Sequence, residues 1–189
     1  MDYFLTEEQR MIVDTAREIA NEKIIPRRAE LDEKNEFPRS ILEDMGKADL
    51  FAIIIPEEYG GFGGGCFDVV LALEQIARGC VGVATSFAAS ALGIFPVLIA
   101  GSDEMKQHYL PDIASGKKWA AFGLTEANAG SDASGVRTTA VLDGDEWVLN
   151  GTKQWITNGG ESQIYTIVAM TDPEKGPRGA SMFVVEDGD

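Results

Sequence analysis

Up to about residue 118, apolar side chains recur at three- and four-residue intervals; beyond it they alternate with polar ones between turn signals. The first pattern puts one face of a helix against a core, the second one face of a strand. Thr6-Glu7-Glu8-Gln9 has the form of a capping box, and Ile12, Ala16, Ile19 and Ala20 follow at helical spacing until Pro26, which predicts a helix over 7–25. A second helix is predicted from Pro38 with Ile41, Leu42 and Met45 inward. A third, over 68–78, buries Val69, Val70, Leu73 and Ile76 and is capped by Gly79. A fourth over 83–100 is apolar nearly all round, so it belongs inside the bundle, kinked at Pro96. Ser102 caps a last short helix that ends before Pro111.

The alternating region predicts strands at 119–125, 138–142, 146–150, 153–157, 163–171 and 180–186. Asp143-Gly144 and Asn150-Gly151 favour positive φ and are expected to reverse the chain between antiparallel neighbours. The polar segment 172–179, with Pro and Gly, is a surface connection. The fold class is therefore α+β: an all-α helical bundle over 1–117, followed by an antiparallel β-domain over 118–189.

Charge narrows the partners. A formal net charge of −15 and scattered lysines and arginines oppose a phosphate backbone or an anionic membrane surface, so no nucleic-acid partner is expected. No apolar run is expected to approach the roughly 18 residues of a membrane span, and the acidic start Met1-Asp2-Tyr3-Phe4 is unlike a signal peptide. The expectation is a cytoplasmic protein without membrane insertion. Cys66 and Cys80 lack metal-ligand or redox spacing and are expected to be buried thiols. His108 is the one histidine and lies in a polar helical stretch, so a metal cluster is not expected, and neither is a Ser-His-Asp hydrolase without its GxSxG elbow. Gly60-Gly61-Phe62-Gly63-Gly64-Gly65 lacks the spacing of a dinucleotide fingerprint or P-loop and follows Glu57 and Glu58, so a flexible loop is favoured over a phosphate cradle.

Two stretches carry candidate chemistry. Ala121-Phe122-Gly123-Leu124-Thr125-Glu126-Ala127-Asn128-Ala129-Gly130-Ser131-Asp132 runs from a strand into a loop rich in backbone N–H groups, with the Thr125 and Ser131 hydroxyls beside them. Such groups suit the polar edge of a planar heterocycle, although an ordinary strand-to-turn junction has the same look. In Asn150-Gly151-Thr152-Lys153-Gln154-Trp155-Ile156-Thr157-Asn158-Gly159-Gly160, Trp155 and Thr157 share a face if the segment is a strand, offering an aromatic wall and a hydroxyl. A packed hairpin tryptophan is the plainer alternative.

Together, in this order after a helical region, the stretches resemble the two signature segments of the acyl-CoA dehydrogenase family, and Ile55-Pro56-Glu57-Glu58-Tyr59-Gly60-Gly61 resembles a third marker. The likeness is to the short-chain, butyryl-CoA dehydrogenase type and covers an N-terminal helical domain plus a middle β-domain, the latter incomplete at its C-terminal end. It implies an oxidoreductase of fatty acid β-oxidation that holds FAD, converts a short acyl-CoA to the trans-2-enoyl-CoA, passes electrons to an electron-transferring flavoprotein and assembles as a homotetramer.

By the resemblance, Phe122, Leu124, Thr125, Ser131, Trp155, Ile156 and Thr157 bind the flavin, with Thr125 at the pyrimidine edge and Thr157 near N5. Ser131 also meets the pantetheine arm, and Thr85 and Phe87 line the acyl pocket, Phe87 pointing to a compact acyl group. The family's catalytic base lies in a C-terminal helical domain, so none is assigned here and the 189 residues alone are expected to be inactive. Glu126 is read as a structural, hydrogen-bonding residue, and Ala127 departs from the family's usual proline. Two readings stand beside this one: an acyl-CoA oxidase that uses oxygen, and a truncated, non-catalytic flavin or acyl-CoA binding module.

Overall fold

A computed structural model describes residues 5–188; the acidic start Met1-Asp2-Tyr3-Phe4 falls outside the described residues. Helix α1 (Glu7–Ile19) opens on the expected capping box, in which Thr6 Oγ1 accepts from Gln9 N and Gln9 Oε1 accepts from Thr6 N. It runs into a π-helical turn, Ala20–Ile24, that closes with Ile25 N donating to Ala20 O. A short helix, α2 (Arg28–Lys34), follows Pro26 and ends at Asn35 in the left-handed region. No expectation covered it, since its seven residues bury only Leu31 and carry almost no apolar periodicity.

Helices α3 (Arg39–Lys47), α4 (Cys66–Gly79) and α5 (Val81–Ala100) fall where the periodicity places them. Val70, expected inward on α4, is 54% exposed. Helix α6 (Asp103–Ala114), capped by Ser102, does not stop before Pro111. Helix α5 carries Pro96 within its assigned span. The expectation of no long apolar run fails at α5, whose 20 residues are, by length and composition alone, long and apolar enough to cross a membrane. Its small residues mask a continuous apolar tract, half of which is buried in the fold.

The sheet is mixed, which corrects the antiparallel expectation. Strand β1 (Ala120–Gly123) pairs in parallel with β4 (Ile164–Met170), whose other side pairs antiparallel with β5 (Ala180–Glu186). Strands β2 (Thr139–Asp143) and β3 (Glu146–Asn150) form the hairpin expected at Gly144 (φ 63), and β2 meets β4 at Thr139 and Met170. Alternation reports which side chains are buried and carries no sign of strand direction, so a parallel pair closed by a long excursion was invisible to it.

The segment 153–157 is not a strand. The turn expected at Asn150-Gly151 is absent: Asn150 still pairs with Thr139, and a Cβ on Gly151 would lie 2.7 Å from Thr138 Cα, so glycine there lets the chain pass close beside the residue before β2. The cysteine expectation also fails, because Cys66 is exposed and Cys80 half-buried, both free. The Gly60–Gly65 loop binds its own neighbours and is not a slack tether: the amides of Phe62, Gly63 and Gly64 donate to the carbonyls of Ala52, Ile55 and Ile53. With its N–H groups spent, it offers no phosphate cradle.

One apolar core fills the helical layer, including Ile24, Leu42, Met45, Phe51, Ile76 and Phe87, and reaches Trp119 just before β1. A second joins helix to sheet through Ile55, Ile94, Val97, Leu110, Ala120 and Ile164. The closest approach is at Gly93 of α5, where a Cβ would come within 2.8 Å of Ala120 Cβ and Ala121 N. Thr166 Oγ1 donates to Gly93 O at 2.7 Å across the same contact. Replacing Gly93 by Ala is therefore expected to destabilise the fold by about 1–3 kcal/mol through overpacking. Gly82→Ala, whose Cβ would meet only Cys80 Sγ at 3.8 Å, is expected to be neutral or to stabilise by up to about 1 kcal/mol. Denaturant unfolding compares them, and equal stability of the two variants contradicts the close approach.

Candidate functional site

Strand β1 delivers the first stretch to the sheet's end. Gly123 closes the strand against Ile167, whose Cδ1 would lie 2.5 Å from a Cβ there. Beyond it Leu124 packs on Ala129, Val136 and Met170, a small apolar cluster beneath the loop. Reciprocal bonds between Glu126 and Ala129, at 3.0 and 3.1 Å, fold the intervening residues into a tight turn, and Asp132 accepts from Ser134 N to shape the next one.

The second stretch is fastened onto the first. Gln154 N donates to Thr125 O at 2.8 Å, and Lys153 Nζ donates both to Leu124 O at 3.1 Å and to Glu126 Oε1 at 2.7 Å. The Glu126 carboxylate also accepts from Arg137 N, Thr138 N and Thr138 Oγ1. Both side chains of the ion pair are nearly buried, Lys153 at 10% and Glu126 at 9% exposure. Burial alone raises the pKa of such a carboxyl; the donors from Lys153, Thr138 and Arg137 outweigh it and bring Glu126 down to about 2. Glu126 is thus ionised at neutral pH and acts as a clasp, in keeping with its expected hydrogen-bonding role.

In place of a strand, the chain after Lys153 puts Trp155 in the left-handed region (φ 59) with its side chain 84% exposed. A non-glycine residue with positive φ is uncommon, and a strand cannot contain one. The alternation argument that gave Trp155 and Thr157 a common face is therefore corrected. Adjacency of the two stretches comes from Gln154 and Lys153. Asn158 (φ 64) and Gly160 (φ 80) curl the following residues back, with Gly160 N donating to Tyr165 Oη at 3.0 Å.

The structure gathers Leu124, Thr125, Trp155, Ile156 and Thr157 around this junction, all but Trp155 half-buried. Among the described residues, no protein group engages the hydroxyls of Thr125, Ser131 or Thr157. Ser131 lies exposed on the outgoing loop. Phe122, half-buried on β1, lines an apolar groove of about 650 Å³ with Leu92, Phe95, Ile99, Met182 and Val184. Phe87 is not at this surface: it is 2% exposed and its ring lies 5.2 Å from that of Phe51, in the helical core. Its position gives no support to a compact acyl group. Thr85 is exposed near the start of α5 and spends its hydroxyl on Val81 O.

Sequence reasoning missed the Lys153 clasp, the apolar groove and the inward-turned Asn158. The adjacency of an acid after Thr125 and a lysine before Gln154 was the available signal, but it becomes meaningful only when the two segments touch. His108, expected to be solvated, pairs at 3.2 Å with Glu186 on the surface, and no cluster able to hold a metal exists among the described residues.

A helical layer packs on a mixed sheet, and unengaged hydroxyls and an outward indole stand at the sheet's end. The chain belongs to the acyl-CoA dehydrogenase family: residues 6–117 match its N-terminal domain and 121–189 its middle domain. It is 41% identical over 190 residues to a short-chain specific acyl-CoA dehydrogenase from Clostridium acetobutylicum, covering all of this chain and 50% of that one. A chain in the structure of the electron transferring flavoprotein of Acidaminococcus fermentans superposes with a TM-score of 0.95 at 43% identity. Butyryl-CoA dehydrogenase from Megasphaera elsdenii does so at 0.94 and 36%; each match covers 100% of this chain and 50% of the other. The chain thus spans about half the length of the curated relatives it matches.

Glu126→Gln leaves the Lys153 ammonium nearly buried without its counter-charge and is expected to cost about 3 kcal/mol. Because the folded pKa lies below the ordinary 4.5, the carboxylate's contribution is complete above pH 4.5 and is lost as pH falls toward about 2. The stability gap between wild type and variant, read by denaturant titration, should shrink over that window; a gap independent of pH contradicts the clasp.

Proposed function

We propose that the native protein is an FAD-dependent acyl-CoA dehydrogenase that oxidises a short acyl-CoA to its trans-2-enoyl-CoA and passes electrons to an electron-transferring flavoprotein. One observation carries the reading. The Thr125 and Trp155 segments are joined by Gln154 N to Thr125 O and by Lys153 Nζ to Leu124 O and Glu126 Oε1, and the joined segments carry an exposed Trp155 and unengaged Thr125 and Thr157 hydroxyls. Trp155, 84% exposed beside free donors, suits a large planar partner, and an isoalloxazine has the matching apolar face and polar rim. The short-chain preference draws on the names of the relatives; the electron-transferring partner draws on the family likeness.

When bound, FAD supplies the hydride acceptor and the chain supplies position and charge complementarity. Thr125 and Thr157 would hold the ring's pyrimidine edge and N5 side with their hydroxyls, donors suited to the negative charge of a reduced flavin. Trp155 would pack against the ring and exclude water. Leu124, anchored on Ala129, Val136 and Met170, would line the ring with Ile156, Phe122 lines the adjoining apolar groove, and exposed Ser131 would reach ring and pantetheine arm. Glu126 is unsuited to abstract the α proton, because its carboxylate is nearly buried and accepts from Lys153, Thr138 and Arg137. The proposed base lies in the part of the relatives' length that this chain does not span.

Native protein should purify yellow, with flavin that bleaches when a short acyl-CoA is added without oxygen. Thr157→Val should keep the flavin and slow its reduction by roughly ten- to a thousandfold, the usual cost of one aimed donor. Flavin-free wild-type protein, or flavin unresponsive to every acyl-CoA tested, overturns the proposal; rapid peroxide formation in air assigns the oxidase reading instead.

A further inference from the structure

Asn158 differs from its neighbours in the second stretch by turning inward: it is 6% exposed, next to half-buried Thr157 and exposed Gly159. Its side-chain amide Nδ2 faces acceptors on two other elements. Ser86 O, on α5, is 2.8 Å away; Ser90 Oγ, one turn along α5, is at 3.5 Å; and Ala120 O, at the start of β1, is at 3.4 Å. An NH2 group has two hydrogens, so the short bond to Ser86 O takes one and the two longer contacts share the other. The backbone carbonyl of Asn158 in turn accepts from Glu161 N at 3.1 Å and Ser162 N at 2.9 Å, closing the turn behind it.

Residue type and conformation fit together here. At φ 64 a branched or bulky residue is strained, whereas asparagine tolerates the left-handed region. Aspartate tolerates it too but has no donor for Ser86 O and Ala120 O and would place a negative charge against two carbonyls. Asparagine therefore meets the backbone demand and supplies the donor together, at the cost of an Oδ1 that stays buried without a partner among the described residues.

We propose that Asn158 is a positioning residue that fastens the Trp155–Thr157 wall to α5 and to the strand that delivers Phe122 and Thr125. Elements bearing the two sides of the site are thereby held as one rigid unit, so that the Thr157 hydroxyl keeps its place when the ring and the thioester are both bound. The assignment rests on the flavin reading above.

Asn158→Gly keeps positive φ accessible while deleting all the side-chain bonds, and Asn158→Asp keeps the shape while deleting the donor. In the native protein, both should retain flavin yet reduce it roughly ten- to a hundredfold more slowly at saturating acyl-CoA, the cost of a small misplacement. The acyl-CoA concentration for half-maximal rate should move much less, because the lost interaction acts on the reacting geometry. Hydrogen exchange of the amides over 155–160, measured without flavin, should quicken in both variants while that of α4 is unchanged. Wild-type reduction rates per bound flavin overturn the proposal even if the melting temperature falls, because that outcome makes Asn158 merely structural. If wild-type protein binds no flavin, the reading of the site fails separately, and exchange still decides the fastening: unaltered exchange over 155–160 in the variants overturns it. Should neither variant fold, wild-type exchange over 157–160 as fast as that around exposed Ser131 overturns it as well.

Discussion

The buried pair of Glu126 and Lys153 is the contact on which the site's geometry depends. Loops from opposite ends of a long excursion have no reason to meet unless something specific joins them, and here a 2.7 Å charge-assisted bond does so with both partners about nine-tenths buried. Burying two charges is costly, and the cost is offset only when every remaining lone pair and proton is satisfied. That condition is largely met: the carboxylate collects two backbone amides and a threonine hydroxyl, and the ammonium also donates to Leu124 O. One cluster thereby fixes the turn after Thr125, the start of β2 and the residue before Gln154.

The rest of the fold brings this clasp to the right place. Helix α5 lies against β1 because Gly93 and Ala120 leave almost no side chain between them, and Thr166 ties the same contact from β4. Small residues give α5 its apolar, uncharged appearance and also allow its close packing, so one composition has two consequences. The apolar groove beside Phe122 follows from the same geometry, since Leu92, Phe95 and Ile99 occupy the face of α5 that the sheet does not cover.

Much of this was legible in the residues. Periodicity located α1, α3 and α4 because each buries a distinct stripe, a stretch apolar nearly all round located α5, and the Thr6 box fixed where α1 begins. Alternation located β1 to β5 to within a few residues. It failed at 153–157, where Lys153 and the residues flanking exposed Trp155 alternate in polarity for reasons of the clasp and of surface presentation, with no strand ladder. It was silent on strand direction, so the parallel β1–β4 pair went unseen. Helix α6 ran past Pro111 because a proline rules out one donor and crowds one carbonyl, a cost that the burial of Leu110, Ile113 and Ala114 offsets. The family was legible from the two stretches; how they are joined was not, because Glu126 and Lys153 lie far apart in sequence and only the folded chain shows their contact.

The central claim is that a flavin lies against the surface shared by Thr125 and Trp155, and Trp155 reports on it directly. Of the three tryptophans, Trp119 is 4% exposed in the helical core, Trp147 is 45% exposed on β3, and Trp155 is 84% exposed at the site. Titrating FAD into flavin-free protein and following indole fluorescence, alongside the Trp155→Phe variant, isolates its contribution. The account predicts saturable quenching in the wild type that is mostly absent in the variant; quenching equal in the two proteins, or none in either, contradicts it.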